Sequence, residues 1–139
     1  MNPLINAFKK TSITILFIFL ISFLAIPIPA QVNTSKITFV ETKHDFGKVP
    51  QGEELVYQYK FTNVGEDTLR IDNVRASCGC TGVTLGNKKN FAKGEKGEIK
   101  VTFSTTGRNG IQNKTISVQS NDPNNPNVML SFTCDIVSK

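Results

Sequence analysis

The 139-residue chain has no tryptophan, only two tyrosines and a single histidine. With one histidine and no nucleophile elbow, it offers no serine–histidine–aspartate set for nucleophilic catalysis. No glycine-rich phosphate loop follows a strand and opens a helix. The lysines and arginines form no dense stripe with interleaved aromatic residues, so the net charge of +5 does not indicate a nucleic-acid partner. We therefore expect no catalytic residue, no bound cofactor and no enzyme activity.

Long apolar runs are also absent, with one exception near the N-terminus. Lys9 and Lys10 precede an uncharged stretch over Ile13–Ile28, and Ala30 follows it. This order of basic, apolar and small residues is typical of a secretory signal peptide, and the stretch is shorter than the roughly 20 apolar residues of a membrane-spanning helix. We expect cleavage after Ala30, and an uncleaved anchor is the alternative. Residues 1–30 are thus predicted to be a signal peptide, and the protein to be periplasmic, on the cell surface or secreted, without a stable membrane span.

Helical periodicity is missing after residue 30, and short strands take its place. Apolar and polar residues alternate over residues 55–61, 99–103 and 128–136, as in strands with one buried face. The parity of the apolar positions changes near Asp72 and Asn73, which indicates a β-bulge. The ten phenylalanines can fill a core without needing polar partners.

Turn signals separate these strands at the spacing of a sandwich. Residues 46–52 and residues 86–97 are rich in turn formers and are interpreted as a turn and a loop. We predict a short linker over residues 31–35. An all-β, immunoglobulin-like antiparallel β-sandwich of about seven to eight strands is predicted over residues 36–139.

Four short motifs resemble those of a known bacterial family. They are His44–Val49 with Gly52, Phe61–Gly65 followed by Leu69–Ile71, Ala76–Thr81, and Lys93–Glu95, where the family usually has Pro-Gly-Glu. Over nearly all of residues 36–137 the chain resembles the family called domain of unknown function 1573. More distantly it is similar to immunoglobulin-like domains of the major-sperm-protein and Hydin type. The resemblance implies a sandwich fold and a location in the cell envelope, and it implies no established reaction.

Four residues of these motifs have structural explanations. Phe46 is the single large apolar residue of its segment, and we expect it to close one end of the sandwich. Gly47 and Gly65 can adopt the positive φ that tight turns need. Asn63 can bond its own backbone and begin a turn.

Three cysteines in an exported chain leave at least one without an intramolecular partner. Cys134 shares the apolar face of its strand, which indicates a core thiol. Cys78 and Cys80 flank one glycine, and an oxidising compartment favours a disulfide between them. So small a ring is strained, and strained disulfides are the labile ones, so both are candidates for redox activity. A bridge from one of them to Cys134 is the alternative.

Cys78 and Cys80 could instead hold a soft metal ion, copper or zinc, as thiolates. His44 is the candidate third ligand, although a histidine beside a turn is more often a surface or capping residue. A complete zinc site takes four ligands, and the remaining cysteine belongs to an apolar face.

Two functions follow from these patterns. The first is a non-enzymatic binding or scaffold module of the cell envelope, with an unidentified protein or envelope component as its partner, because sandwich loops commonly carry recognition. The second is a soft-metal-binding or thiol-redox protein centred on the Cys-Gly-Cys element.

Overall fold

The structure, a computed structural model, describes residues 34–138. The predicted signal peptide over residues 1–30 and the first three residues of the predicted linker lie outside the described residues. Nine strands follow one another: β1 (Ile37–Phe39), β2 (Lys43–Pro50), β3 (Glu54–Asn63), β4 (Leu69–Ala76), β5 (Thr81–Thr84), β6 (Asn90–Phe91), β7 (Lys96–Ser104), β8 (Gly110–Ser120) and β9 (Asn127–Val137). Within this part of the chain, no helix is long and apolar enough to cross a membrane.

The strands form two sheets that enclose one core. One sheet has the order β1-β3-β7-β5, and the other has the order β2-β9-β8-β4-β6. The residues between Phe39 and Lys43 carry the chain from the edge of the first sheet to the edge of the second. The predicted all-β, immunoglobulin-like sandwich is confirmed.

The apolar side chains of the alternating sequence pattern lie between the two sheets and form the core. Along β3, Leu55, Tyr59 and Phe61 are buried, whereas Val56 and Lys60 are exposed. The largest fully buried side chains come from both sheets and are Tyr59, Phe61, Phe103, Phe132, Leu69, Ile71, Ile99, Ile116 and Leu130. Burial of this apolar surface is the main source of stability for a domain of this size.

The bulge predicted in β4 is present. The pairing of β4 with β8 shifts between Ile71 and Asn73. As a result Ile71 is fully buried and Val74, three positions later, packs against the core. One extra residue therefore corrects the parity, as the sequence indicated.

One strand pairing differs from the purely antiparallel prediction. β2 runs parallel to β9, with Lys43 opposite Ser131 and Pro50 opposite Val137. Residues 40–42 join β1, which is antiparallel to β3 in one sheet, to β2, which lies beside β9 in the other sheet. Residues 46–52, predicted as a turn, therefore lie mostly within a strand that contains a bulge between Asp45 and Lys48.

Two further boundaries differ from the sequence analysis. The predicted loop over residues 86–97 contains β6, where Phe91 is buried and pairs with Leu69 of β4. Ser35, assigned to the linker, is 3% exposed, and its hydroxyl donates to the Asn121 carbonyl at 2.9 Å. The folded domain therefore begins at least one residue earlier than predicted.

Candidate functional site

The Cys-Gly-Cys element connects β4 of one sheet with β5 of the other. A disulfide joins Cys78 to Cys80, with their Cα atoms 5.3 Å apart. The Thr81 amide donates to the Cys78 carbonyl at 3.3 Å. Both cysteines are half-buried, and Gly79 is exposed. We call residues Cys78–Thr81 the cysteine turn, and both of its cysteines are only partly buried.

Thr81 is the side chain that contacts both sulfurs. The residue is 7% exposed, and its Oγ1 lies 3.4 Å from the Cys78 Sγ and 4.0 Å from the Cys80 Sγ. Among residues 34–138, these sulfurs are the hydrogen-bond partners of the hydroxyl. Pairing of Thr81 with Phe103 in β7 fixes its position. Thr81 was not predicted as a site residue, although a hydroxyl residue directly after the second cysteine was an available signal.

Cys134 is a core thiol, in agreement with its place on the apolar face of β9. It is 2% exposed and forms no disulfide. Burial raises the pKa of its thiol. The alternative bridge from the Cys-Gly-Cys element to Cys134 is not formed in this structure.

The three candidate metal ligands are not brought together. His44 lies on β2, while the residue before Cys78, Ser77, is bonded to Thr115 of β8 beyond the end of β4. β9 and β8 separate β2 from β4, and three strand spacings of about 4.8 Å give roughly 14 Å. Within residues 34–138, no group of three or more His, Cys, Asp or Glu residues is arranged to hold a metal ion. The copper or zinc site considered as an alternative at Cys78, Cys80 and His44 is therefore not assembled in the described part of the chain.

His44 belongs instead to an aromatic cluster. Its ring stacks on Tyr57 with 3.6 Å between ring centroids, and Phe46 meets His44 edge-on at 4.6 Å. Phe46 also packs on Phe132 at 5.6 Å and is half-buried. Since His44 and Phe46 lie on β2, an edge strand of its sheet, and Tyr57 lies on β3, Phe46 covers the side of the sandwich between these two strands rather than one of its ends.

Asn63 does more than start its own turn. The residue is fully buried, and its Nδ2 donates to the Asp67 carbonyl at 2.8 Å and to the Phe91 carbonyl at 2.9 Å. Its Oδ1 accepts from the Gly65 amide at 3.0 Å and from the Lys36 amide at 3.3 Å. One side chain thereby joins the segment before β1, the turn after β3 and strand β6.

The two signature glycines have different roles. Gly47 has the expected positive φ, 67°, within the bulge of β2. Gly65 is not among the positive-φ glycines of residues 34–138, so the expectation for it was wrong. A Cβ atom there would stand 2.3 Å from the Thr34 carbonyl oxygen and 2.4 Å from the Lys36 amide nitrogen. Gly65 is needed because another backbone segment crosses directly over it.

Asp122 is a buried polar residue that the sequence analysis missed. It is fully buried, and its carboxylate accepts from the amides of Ile37 at 3.0 Å, Asn124 at 2.9 Å and Asn125 at 3.1 Å. It fixes β1 against the loop between β8 and β9. The available signal was the Asp-Pro pair in that loop, where an aspartate commonly bonds to the following backbone amides.

Strand β3 has an open edge. β1 pairs with β3 at Phe61–Asn63, and the Val40 amide donates to the Lys60 carbonyl at 3.0 Å. Toward the Glu54 end of β3, no other strand of the described residues lies beside β3 on the side opposite β7. Hydrogen-bonding directions alternate along a strand, so the N–H and C=O groups of Val56 and Gln58 point outward, as the Lys60 carbonyl does.

A shallow depression lined by both apolar and polar side chains lies along this edge. Its volume is about 460 Å³, and we call its lining the β3 edge, formed by Val40, Glu41, Val56, Tyr57, Gln58 and Lys60. Val40 is 80% exposed and Val56 is 46% exposed. The sequence carried one signal for this surface, because Val56 is apolar at a position of β3 whose parity faces outward.

The groups with shifted pKa values have local structural causes. Hydrogen bonds from the Gly47 amide and the Thr133 hydroxyl lower the pKa of Asp45. Burial raises the pKa of Tyr59 to about 12, and its hydroxyl donates to the Ser131 carbonyl at 2.7 Å. These hydrogen bonds hold parts of the fold together and do not arrange an acid and a base around a cleft.

Comparison with known proteins agrees with the fold and with the predicted family. The family model described as protein of unknown function (DUF1573) matches residues 37–136. The chain belongs to the DUF1573 family. No curated protein matches this DUF1573 chain.

Solved structures similar to the DUF1573 domain share its architecture. A protein of unknown function from Porphyromonas gingivalis W83 has a TM-score of 0.66 and 18% identity, over 80% of this chain and 51% of that one. The VesB protease of Vibrio cholerae has a TM-score of 0.61 and 15% identity, over 74% of this chain and 32% of that one. PapD-like domain 7 of human CEP192 has a TM-score of 0.59 and 8% identity, over 76% of this chain and 88% of that one. The chain thus spans about half or less of the two bacterial proteins, and at these identities the similarity is one of fold.

Proposed function

We propose that this DUF1573 protein is a non-enzymatic binding or scaffold module of the cell envelope. In this proposal, the β3 edge binds an extended segment of a partner protein. The observation that carries the proposal is the row of backbone groups at Val56 and Gln58 that have no strand partner within residues 34–138, beside exposed Val40.

An unpaired strand edge is a template for another strand. Proteins commonly protect such edges, because any extended chain can pair with them. Where an edge is used for recognition, main-chain hydrogen bonds supply affinity and side-chain contacts supply specificity. A segment beside Val56 and Gln58 would continue the line of β1 and cover the exposed part of both valines. Glu41 and Lys60 would then offer one charge of each sign to its side chains.

Envelope location and the absence of catalysis rest on the sequence. The order of Lys9, Lys10, the apolar run and Ala30 supports export. The lack of a second histidine and of a nucleophile elbow supports a binding role rather than an enzyme.

Replacement of one backbone donor tests the proposal. Val56→Pro removes an N–H that points away from β7, so the pairing of β3 with β7 is kept while strand addition is blocked. Val56→Thr is the matched control, since it keeps the β-branch and the N–H. We expect a photo-crosslinking residue at position 58 to capture a protein in the cells that produce the chain, and Val56→Pro to abolish this capture.

The same crosslinker at position 100 is the second control. Lys100 is exposed and pairs with Gln58 across the β3–β7 ladder, one strand further from the edge. Capture at position 58 that survives Val56→Pro, or equal capture at both positions, would exclude strand addition at the β3 edge.

The soft-metal alternative has a direct test of its own. Metal analysis of protein purified without chelators measures copper and zinc per chain. We expect much less than one equivalent of either metal, because Cys78 and Cys80 are bonded to each other and are not free thiolates. A stoichiometric content lost in a Cys78→Ser variant would favour the metal function instead.

A further inference from the structure

The disulfide of the cysteine turn contributes little to the stability of the folded domain. Disulfides stabilise folded proteins mainly by restricting the unfolded chain, and the effect grows with the length of the loop that they close. Cys78 and Cys80 are separated by two positions, so their bond restricts almost nothing. β4 and β5, on either side of the turn, are held by their own ladders with β8 and β7. Fold stability therefore does not account for this bond.

The two sulfurs have different surroundings. Cys80 packs against the hydrophobic core, where a negative charge is disfavoured. The Thr81 hydroxyl lies nearer to the Cys78 Sγ, at 3.4 Å, than to the Cys80 Sγ, at 4.0 Å. A hydrogen-bond donor stabilises an adjacent thiolate. In the reduced protein, Cys78 is therefore the better thiolate and Cys80 the better neutral thiol.

Two cations lie beside Phe103, the residue of β7 that pairs with Thr81. The Nζ of Lys114, on the core-facing side of β8, lies 5.9 Å from the centre of the Phe103 ring. The guanidinium carbon of Arg108 lies 5.5 Å from the same ring. Phe103 is the register partner of Thr81, so both positive charges lie against a side chain of β7, the strand that pairs with the end of the cysteine turn.

From these contacts we propose that the Cys78–Cys80 disulfide is a reversible redox couple that oxidises a dithiol of a partner protein. Cys78 is the cysteine that exchanges with the partner, Cys80 is the resolving cysteine, and Thr81 is the positioning residue that stabilises the Cys78 thiolate. This activity goes beyond the binding role of the β3 edge and uses a different part of the molecule.

The exchange balances in two steps. A partner thiolate attacks the Cys78 Sγ, a mixed disulfide forms, and the Cys78–Cys80 bond breaks with its electron pair on the Cys80 Sγ, which takes up a proton. The second partner thiolate then attacks the partner sulfur of the mixed disulfide, and the Cys78 Sγ leaves as a thiolate that accepts a hydrogen bond from Thr81. Two electrons pass from the partner dithiol to the protein. Of the two protons that the dithiol loses, one is on Cys80 and one is in solvent.

Glutathione redox buffers test the couple in the purified, folded protein. The reduced fraction is read by acid quenching, alkylation and mass spectrometry. Thr81→Val keeps the shape of the side chain and removes the hydroxyl, whereas Thr81→Ser keeps the hydroxyl. Because a hydrogen bond to a charged group is stronger than one to a neutral group, we expect Thr81→Val to shift the equilibrium about tenfold toward the disulfide. We expect Thr81→Ser to stay within about twofold of the parent protein.

Single-cysteine variants test the two roles. With Cys80→Ser, Cys78 should react with an aromatic disulfide reagent at least about tenfold faster than Cys80 does in a Cys78→Ser variant. Cys134 serves as an internal control, because it should react only after unfolding. Circular dichroism shows that each variant is folded.

Three results would overturn the proposal. The first is a disulfide that glutathione reduces only at denaturant concentrations that unfold the domain. The second is an equilibrium that Thr81→Val leaves unchanged. The third is equal reaction rates of Cys78 and Cys80 in their single-cysteine variants. These measurements need no partner at the β3 edge, so their outcome is independent of the crosslinking experiment.

Discussion

Replacing Asn63 with alanine should cost about 4 kcal/mol of folding free energy. The substitution removes all four hydrogen bonds of the side chain, of which those with the Phe91 carbonyl and the Gly65 amide are fully buried. Each buried group left without a partner costs roughly 1–3 kcal/mol, so these two alone cost about 2–6 kcal/mol. The partly buried groups of Asp67 and Lys36 can turn to water and add less. Such a loss is a large share of a typical stability of about 5–15 kcal/mol.

Urea unfolding followed by far-ultraviolet circular dichroism measures this loss, because the chain has no tryptophan to report it by fluorescence. Asn113→Ala is the matched control, since Asn113 is exposed on β8 and the same change there should stay within about 0.5 kcal/mol. Asn63→Asp adds a second test. It places a carboxylate against two carbonyl oxygens, which should raise the pKa of the introduced group, so this variant should lose stability as the pH rises above about 4. A loss below about 1 kcal/mol for Asn63→Ala would refute the role of Asn63 as the joint between β1, the turn and β6.

Four other outcomes follow from the structure. Gly65→Ala should cost at least about 2 kcal/mol more than Gly79→Ala in the same urea assay, because the new Cβ meets backbone atoms only at position 65; equal costs would contradict the crossing of the segment before β1. Phe46→Ala should cost about 2 kcal/mol, less than the 3–5 kcal/mol of a fully buried phenylalanine, because Phe46 is half-buried. Burial raises the pKa of the Cys134 thiol, so the protonated thiol contributes a stability that is complete below about pH 8.5 and is lost as the pH rises through the pKa of this thiol in the folded protein. The free energy of unfolding should therefore decline between about pH 7 and 9.5, and Cys134→Ala should lack this decline. N-terminal sequencing of the exported protein should begin at Gln31, and an intact Met1 would mean that the apolar run is an anchor.

Local patterns predicted most of the strands, because the two-residue period of a strand is visible in any short window. The alternation over residues 55–61 and the parity change at Asp72 predicted β3 and the bulge of β4. Phe91 gave no such pattern, because β6 is two residues long and exists only where it meets β4. The parallel pairing of β2 with β9 joins segments far apart in the chain, and no local rule indicates it.

For the candidate site too, local sequence predicted some features, and others depend on contacts between distant segments. Cys78 and Cys80 are two positions apart, so sequence alone could propose their pairing. The distance of His44 from them depends on which strands separate β2 from β4, which is a property of the topology. The contact of Thr81 with both sulfurs depends on its register with Phe103. The role of Gly65 likewise depends on a segment about thirty residues earlier, which leaves no room for a Cβ atom. The prediction from the glycine propensity for positive φ was therefore wrong.

The position of β9 also sets the order in which the domain can be completed during synthesis. β9 lies between β2 and β8, so it supplies ladder partners to a strand made early and to a strand made just before it. Until residues 127–137 have left the ribosome, β2 has no neighbour in its sheet and one side of the core is uncovered. Pairings between such distant segments slow folding, because a long loop must close before any contact is gained. The sheet that contains β2, β9 and β8 can therefore be completed only after most of the chain has been synthesised.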